Sequence, residues 1–202
     1  MSRPIYQPKL DLTDWQKTNT QESEKILRIV APELHSFIEE HSVLSQWMDQ
    51  IREGYNAELY NKVLGEIGHE LDHHFLYEEK YILSRLANHI PETVVGPIFK
   101  LKNEHNTIRK HYEEAKALFK NHDPENPSQE LVQKMGLLAY LLKKHIEKED
   151  HYLFPLFSVI LTQDEKEAIA SDVKLEEKRR GKDSLLINLH ATIEGGSSHV
   201  SS

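Results

Sequence analysis

The chain has 202 residues, 38% of them hydrophobic and 29% charged, with a formal net charge of −8. That length suits one domain with appendages and a core that needs no covalent staple. The acidic balance argues against nucleic-acid binding, which calls for a basic footprint. With no cysteine, disulfides, thiolate zinc sites, iron–sulfur clusters and thiol nucleophiles are excluded. No apolar stretch follows Arg3 at the start of the chain, and nowhere do eighteen apolar residues run together. The expectation is a cytoplasmic protein with no membrane partner. Histidine is the unusual residue, with thirteen copies.

Residues 1–23 carry two prolines and little periodicity, and read as an irregular arm around Trp15. That arm is free to pack on the body of the chain or on a second subunit of a homo-oligomer. From there apolar residues recur three and four apart without strand alternation, which predicts helices. A first helix runs through Leu34, Phe37, Leu44, Met48 and Ile51 and ends at Gly54. A second takes roughly Ala57 to Asn88, stopping before Pro91. A third spans about Pro97 to Lys120. After the loop NHDPENPS, Ser128 is a candidate N-cap for a fourth helix from Gln129 to about Ile160. Thr162 and Glu165 have capping-box spacing and open a short fifth helix. Residues 173–202, charged and then Gly/Ser-rich, read as a mobile tail. The predicted fold is all-α: an up-down-up-down four-helix bundle with a short fifth helix, over residues 24–172.

What interrupts each apolar stripe carries the chemistry. The stripes read Leu34, Ile38, His41, Leu44, Met48, Ile51; then Val63, Ile67, Leu71, His74, Glu78, Ile82. The third reads Ile98, Leu101, His105, Ile108, Tyr112, Ala115, and the fourth Leu138, Leu142, His145, Glu149, Tyr152, Leu156. Each has a histidine near its middle, and two have a glutamate one turn later. A buried carboxylate costs several kcal/mol unless paired or bound to a cation. A metal cluster on the bundle axis neutralises both carboxylates and uses the imidazoles as ligands.

The pattern also repeats within the chain. His74 to Leu83 (HFLYEEKYIL) matches His145 to Phe154 (HIEKEDHYLF), and Glu40-His41 matches Glu104-His105. The order EH, HxxxE, EH, HxxxE gives each half two histidines and one carboxylate, suited to two metals side by side. On a helix the +4 spacing separates histidine and glutamate by only about 40°, one turn along.

This four-part pattern resembles the hemerythrin / HHE cation-binding family, over roughly Leu34 to Leu156. The resemblance implies a non-haem di-iron centre, two iron ions with an oxo or hydroxo bridge. It implies His41, His74, His105 and His145 as terminal ligands and Glu78 and Glu149 as bridging carboxylates. Its implied function is binding of, or reaction with, O2, NO or peroxide, in sensing, scavenging or iron handling.

The chain departs from the oxygen-carrying members in two places. Arg109 stands four residues after His105, where those have a second histidine. They also use an aspartate five residues after the fourth-helix histidine, and Asp150 stands there. Asp150 would point about 140° from His145 on an α-helix, so Glu149 is preferred, with Asp150 the alternative. Four imidazoles and two carboxylates fill about eight of some twelve positions on two six-coordinate metals, which favours reaction or sensing over oxygen carriage. Tyr55, Tyr112 or Tyr152 would also be able to fill a position.

The second acids, Glu79 and Asp150, and the preceding Glu40 and Glu104, are expected to face solvent or to hydrogen-bond a ligand histidine. His35, His69, His73, His111 and His151 lie off the stripes, with His73 the substitute for His74 if the phase slips by one. Zinc and manganese also accept such sites. Two other readings compete. One is a ferritin-like oxidase, for which Glu70-x-x-His73 supplies a single motif. The other is a metal-free helical interaction module with a buried polar network.

Overall fold

Local capping chemistry sets most helix starts. The computed structural model describes residues 14–90 and 96–195, with side chains through residue 181 apart from that of Thr20. Helix α1 (Thr20–Leu27) opens at Asn19, whose side chain accepts from the Gln21 N–H at 3.0 Å. It lies partly inside the stretch expected to be irregular, because one capping asparagine before TQESEKIL is enough to start a helix. Residues 1–13 of that arm lie outside the described residues. A 3₁₀ turn (Pro32–Leu34) leads into α2 (His35–Glu53), which ends at Gly54 with φ +145°, a conformation open to glycine alone at little cost. Asn56 caps α3 (Ala57–Asp72) and Ser128 caps α7 (Gln129–Lys148), each through its side-chain oxygen. Between them runs α6 (Pro97–Lys120), with proline at its first turn.

The second predicted helix is not continuous. It breaks at His73 and resumes as α4 (His74–Tyr77), a π-helical turn (Glu78–Ile82) and α5 (Leu83–Leu86). The fourth does the same: α7 runs into a π-helical turn (Glu149–Leu153) and then α8 (Phe154–Ile160). Both wide turns close with an i+5 bond, Leu83 N–H to the Glu78 carbonyl and Phe154 N–H to the Glu149 carbonyl. They occupy the same position of the internal repeat. In each the α-ladder is loosened just downstream: Pro155 has no N–H to donate, and the Ser84 hydroxyl donates to the Lys80 carbonyl at 2.5 Å.

The extra residue turns the fourth stripe. Leu138, Leu142, His145 and Glu149 are buried as predicted, but Tyr152 is 72% and Leu156 38% exposed, while Phe154 and Phe157 face inward. The other three stripes are buried throughout.

Helix α9 (Gln163–Gly195) starts with the predicted capping box, Thr162 N–H to Glu165 at 2.9 Å and Glu165 N–H to Thr162 Oγ1 at 3.3 Å. It is not short, and residues 173–195 are helical rather than a loose tail. Lys, Glu, Arg and Leu all favour helix, and the one glycine before the end, Gly181, costs about 1 kcal/mol. Residues 196–202 lie outside the described residues.

No strand occurs among the described residues. α2 packs on α3 and α7, and α6 packs on the same two, closing a ring of four helices. α9 lies against the 3₁₀ turn and the first π-helical turn. The apolar core falls into two clusters. One holds Leu44, Met48, Ile67, Leu71, Ile108, Leu138 and Leu142; the other holds Ile38, Ile82, Leu86, Leu101, Phe154 and Phe157. In each of the four helical segments, the α3–α5 and α7–α8 segments included, the histidine lies in sequence near the passage from one cluster to the other.

Candidate metal centre

His41 on α2, His74 on α4, His105 on α6 and His145 on α7 are each at most 2% exposed, as are Glu78 and Glu149 at the starts of the two π-helical turns. The four imidazoles turn their Nε2 atoms toward a common centre. His41 and His74 Nε2 lie 2.8 Å apart. Glu78 reaches both halves, Oε1 being 3.4 Å from His74 Nε2 and Oε2 3.3 Å from His105 Nε2. Glu149 Oε2 lies 3.2 Å from both His41 and His145 Nε2, and its Oε1 3.8 Å from His105.

The outer edge of each ring is held by a different acid. Asp150 accepts from His41 Nδ1 at 2.6 Å, Glu40 from His74 Nδ1 at 2.7 Å, Glu79 from His105 Nδ1 at 2.7 Å and Glu104 from His145 Nδ1 at 3.2 Å. Each acid anchored on Nδ1 fixes the ring with Nε2 inward, which is how metal-binding histidines are oriented. The internal repeat is preserved: each EH glutamate grips the histidine of the following HxxxE segment. Each second acid of an HxxxE segment grips the histidine of the other half.

The donor set fits cations. Two groups form, His41, His74, Glu78 and Glu149, and Glu78, His105, His145 and Glu149; within each the ligand atoms all lie within 4.8 Å of one another. Both carboxylates belong to both groups. Both oxygens of Glu78 and of Glu149, and Nε2 of His105 and His145, are buried without a hydrogen-bond partner. Groups of this polarity are rarely left so in native interiors.

A family model for the hemerythrin HHE cation-binding domain matches residues 33–157. The chain belongs to the hemerythrin HHE family. No curated protein and no solved structure matches it. Within this hemerythrin-like chain the matched segment spans all six clustered side chains and ends three residues short of the end of α8.

Charge is compensated across the cluster. Burial acts against the His74 imidazolium, but the nearby Glu78 charge and the hydrogen bond to Glu40 outweigh it and raise its pKa to about 10. His105 is likewise raised to about 10 against burial, by the facing carboxylates of Glu149 and Glu78 and the hydrogen bond to Glu79. His41 is raised well above the usual imidazole range, burial being outweighed by Asp150 and Glu149. Burial and the facing Glu78 would raise Glu149, yet His145, His105 and His41 leave it lowered. Glu78 is held well below the carboxylate range, burial being outweighed by His74 and His105. The hydrogen bond to His145, helped by Lys148, brings Glu104 down to about 2. These pairings show a pocket built around balanced opposite charge, the condition a cation shared by two carboxylates also meets.

Residues weighed in sequence as substitutes or competitors stay outside. His73 donates through Nδ1 to the His69 carbonyl at 2.8 Å and stacks on His69, so the Glu70-x-x-His73 motif of an oxidase does not form the centre. Tyr55 donates to the Pro124 carbonyl, Tyr112 packs in the core beside Gly68, and Tyr152 is exposed. His35 bonds the Val30 carbonyl, His111 pairs with Glu114, and His151 with Glu22.

In sequence, Asp150 is a candidate both for the bridge and for the outer edge of a ligand histidine. The π-helical turn decides its placement: fewer degrees separate successive residues than on an α-helix, so Glu149 faces the cluster while Asp150, 8% exposed, reaches His41. Arg109 also gains a role that spacing did not reveal. Its Nη1 donates to Glu79 Oε1 at 2.8 Å, and its guanidinium lies 5.5 Å from the Phe75 ring, which stacks on His105 at 3.9 Å.

Proposed function

We propose that this hemerythrin-like chain holds a non-haem di-iron centre, with His41, His74, His105 and His145 as terminal ligands and Glu78 and Glu149 as bridges, and that it binds or reacts with O2, NO or peroxide. The observation that carries the reading is the orientation of the four imidazoles, each anchored at Nδ1 by its own carboxylate with Nε2 turned to two shared glutamates. Two iron ions would supply redox chemistry and coordination positions for a small ligand. The chain supplies the rest: fixed tautomers, two negative charges and an apolar wall. Phe37 at 5.2 Å from His74, Phe154 at 5.7 Å from His41 and Phe75 on His105 form much of that wall.

The ligand count supports an open centre. Arg109 occupies the place of the second third-helix histidine in oxygen carriers, and its guanidinium is engaged with Glu79, so it gives no ligand. About four of some twelve positions then remain for solvent and an exogenous ligand, which favours reaction or sensing.

An up-down-up-down bundle is part of the same proposal. α2 passes from the cluster containing Ile38 to the one containing Leu44, and the α3–α5 segment passes back from Leu71 to Ile82. α6 and the α7–α8 segment repeat the two directions, from Leu101 to Ile108 and from Leu142 to Phe154. No helix among the described residues is long and apolar enough to cross a membrane, in keeping with the proposed cytoplasmic location.

Metal analysis with visible spectroscopy tests the function. Two irons per chain and near-ultraviolet charge-transfer bands, both lost in His74→Ala and Glu78→Ala, are expected. The reduced protein is then titrated with O2, NO and peroxide. A colourless, folded protein that takes up no iron would leave the metal-free interaction module as the better reading.

A further inference from the structure

A cavity lies between the α3–α4 segment, α2 and α9. Its lining includes Glu40, Glu70, His73, His74, Tyr77 and Arg180. Of the six clustered side chains, His74 lines it, presenting the Nδ1 edge: Glu40 Oε2 is 2.7 Å and Glu70 Oε2 3.7 Å from that nitrogen. His74 thus forms a wall between cavity and cluster, with Nε2 on the inner side.

Two features point to a polar guest. Tyr77 is 4% exposed, and its hydroxyl has no hydrogen-bond partner although the residue lines the cavity. Glu70 Oε2 is also buried without one. Glu40, Glu70 and His74 bring their ligand atoms within 4.8 Å of one another. Two carboxylates, a phenol and imidazole edges suit a partly hydrated divalent cation, the carboxylates taking the ion and the phenol a water on it. Arg180 opposes this. Its Nη1 lies 3.5 Å from His73 Nε2, its guanidinium 5.8 Å from the Tyr77 ring, and Glu176 of α9 holds its Nε at 3.4 Å.

We propose that this cavity is the vestibule through which a divalent transition-metal cation is loaded into the centre, Glu70 with Glu40 holding the ion before it passes His74, and Arg180 of α9 restraining entry. The inference rests on the metal-centre reading above. An arriving cation competes with His74 Nδ1 for Glu40, which releases the outer anchor of that ring and lets it turn; on loading, Glu40 returns to His74. Glu70, with no histidine hydrogen bond to restore, is the carboxylate dedicated to transfer.

The test mixes metal-free full-length protein with Co2+, follows the cobalt ligand-field absorption in a stopped-flow instrument, and measures bound metal at the end by elemental analysis. Glu70→Gln should slow uptake about tenfold, the scale of lost electrostatic steering, with final metal content equal to wild type. Arg180→Ala should speed uptake, which keeps the proposal testable if the glutamine variant folds poorly. Glu147→Gln, in the separate cavity beside Asp150 and the Trp15 arm, should load at the wild-type rate. Unchanged rates in both vestibule variants overturn the proposal, as does a lowered final content in Glu70→Gln, which would make Glu70 a resident ligand. Wild-type protein that binds no cation overturns the metal-centre reading itself.

Discussion

At the scale of single residues, the carboxylates divide into Glu78 and Glu149, which face the centre, and the outer four, which each hold an imidazole. Arg109, Glu79 and His105 form a relay: the guanidinium fixes the carboxylate, and the carboxylate fixes Nδ1. Breaking it leaves every proposed ligand in place and loosens one. Glu79→Gln or Arg109→Leu should keep two metals per chain at saturation but weaken affinity about 10–100-fold, the usual effect of losing such a partner. Competition with a chelator of known affinity reads this directly. The adjacent acids Glu149 and Asp150 separate the same way. Glu149→Gln should abolish stoichiometric binding, whereas Asp150→Asn should retain it at reduced affinity; the reverse result would make Asp150 the bridge. That the four histidines lie buried was legible because each interrupts an apolar stripe, two of them with a glutamate one turn on. Asp150 was not, because its direction depends on a backbone turn that no local residue pattern announces.

At the scale of elements, the capping residues Ser128 and Thr162 and the break at Gly54 marked the boundaries most legible in the sequence. The π-helical turns escaped it, since periodicity at 3.6 residues assumes an unbroken ladder. That assumption put Tyr152 and Leu156 in the core and left Phe157 out. The long α9 was also missed, because a charged segment reads as solvated whether or not it is helical.

The N-terminal arm was undecided in sequence and is docked in the structure. Trp15 Nε1 donates to Asp49 Oδ1 at 2.8 Å, the Thr18 N–H to Asp49 Oδ2 at 2.7 Å, and Lys143 Nζ to Asp49 Oδ1 at 3.1 Å. Burial raises the Asp49 pKa, but the bonds from Thr18 and Lys143 outweigh it and leave it lowered. Its contribution to docking is therefore fully present above the unfolded aspartate value of about 3.9 and is lost as the pH falls through the lower folded value. In a Trp47→Phe background, Trp15 emission should shift to the red only in that acid range. Asp49→Ala should show the shifted emission already at neutral pH. An emission maximum that stays fixed through acidification would separate docking from Asp49.

At the scale of the whole molecule, the polar centre is also the seam of the core. Leu71 and Phe75, on either side of His74, lie in one apolar cluster, and Tyr77 and Ile82, on either side of Glu78, in the other; Leu142 of the first and Phe154 of the second flank His145 and Glu149. Four helices meet at this layer, and the groups there have few mutual hydrogen bonds to hold them. A cation that ties ligands from all four stabilises the folded chain alone, because the unfolded chain has no preformed site. At a thousandfold excess over its Kd such a ligand adds about 4 kcal/mol. With about 2–4 °C of Tm per kcal/mol for a chain of this size, removing the metal by chelation under reducing conditions should lower Tm by about 8–16 °C. Restoring Fe2+ should recover it. His74→Ala should melt at the lower temperature with or without iron, since the seam can no longer be closed. Equal melting of loaded and stripped wild-type protein would show that the two apolar clusters hold the bundle together by themselves and that the metal acts in chemistry alone.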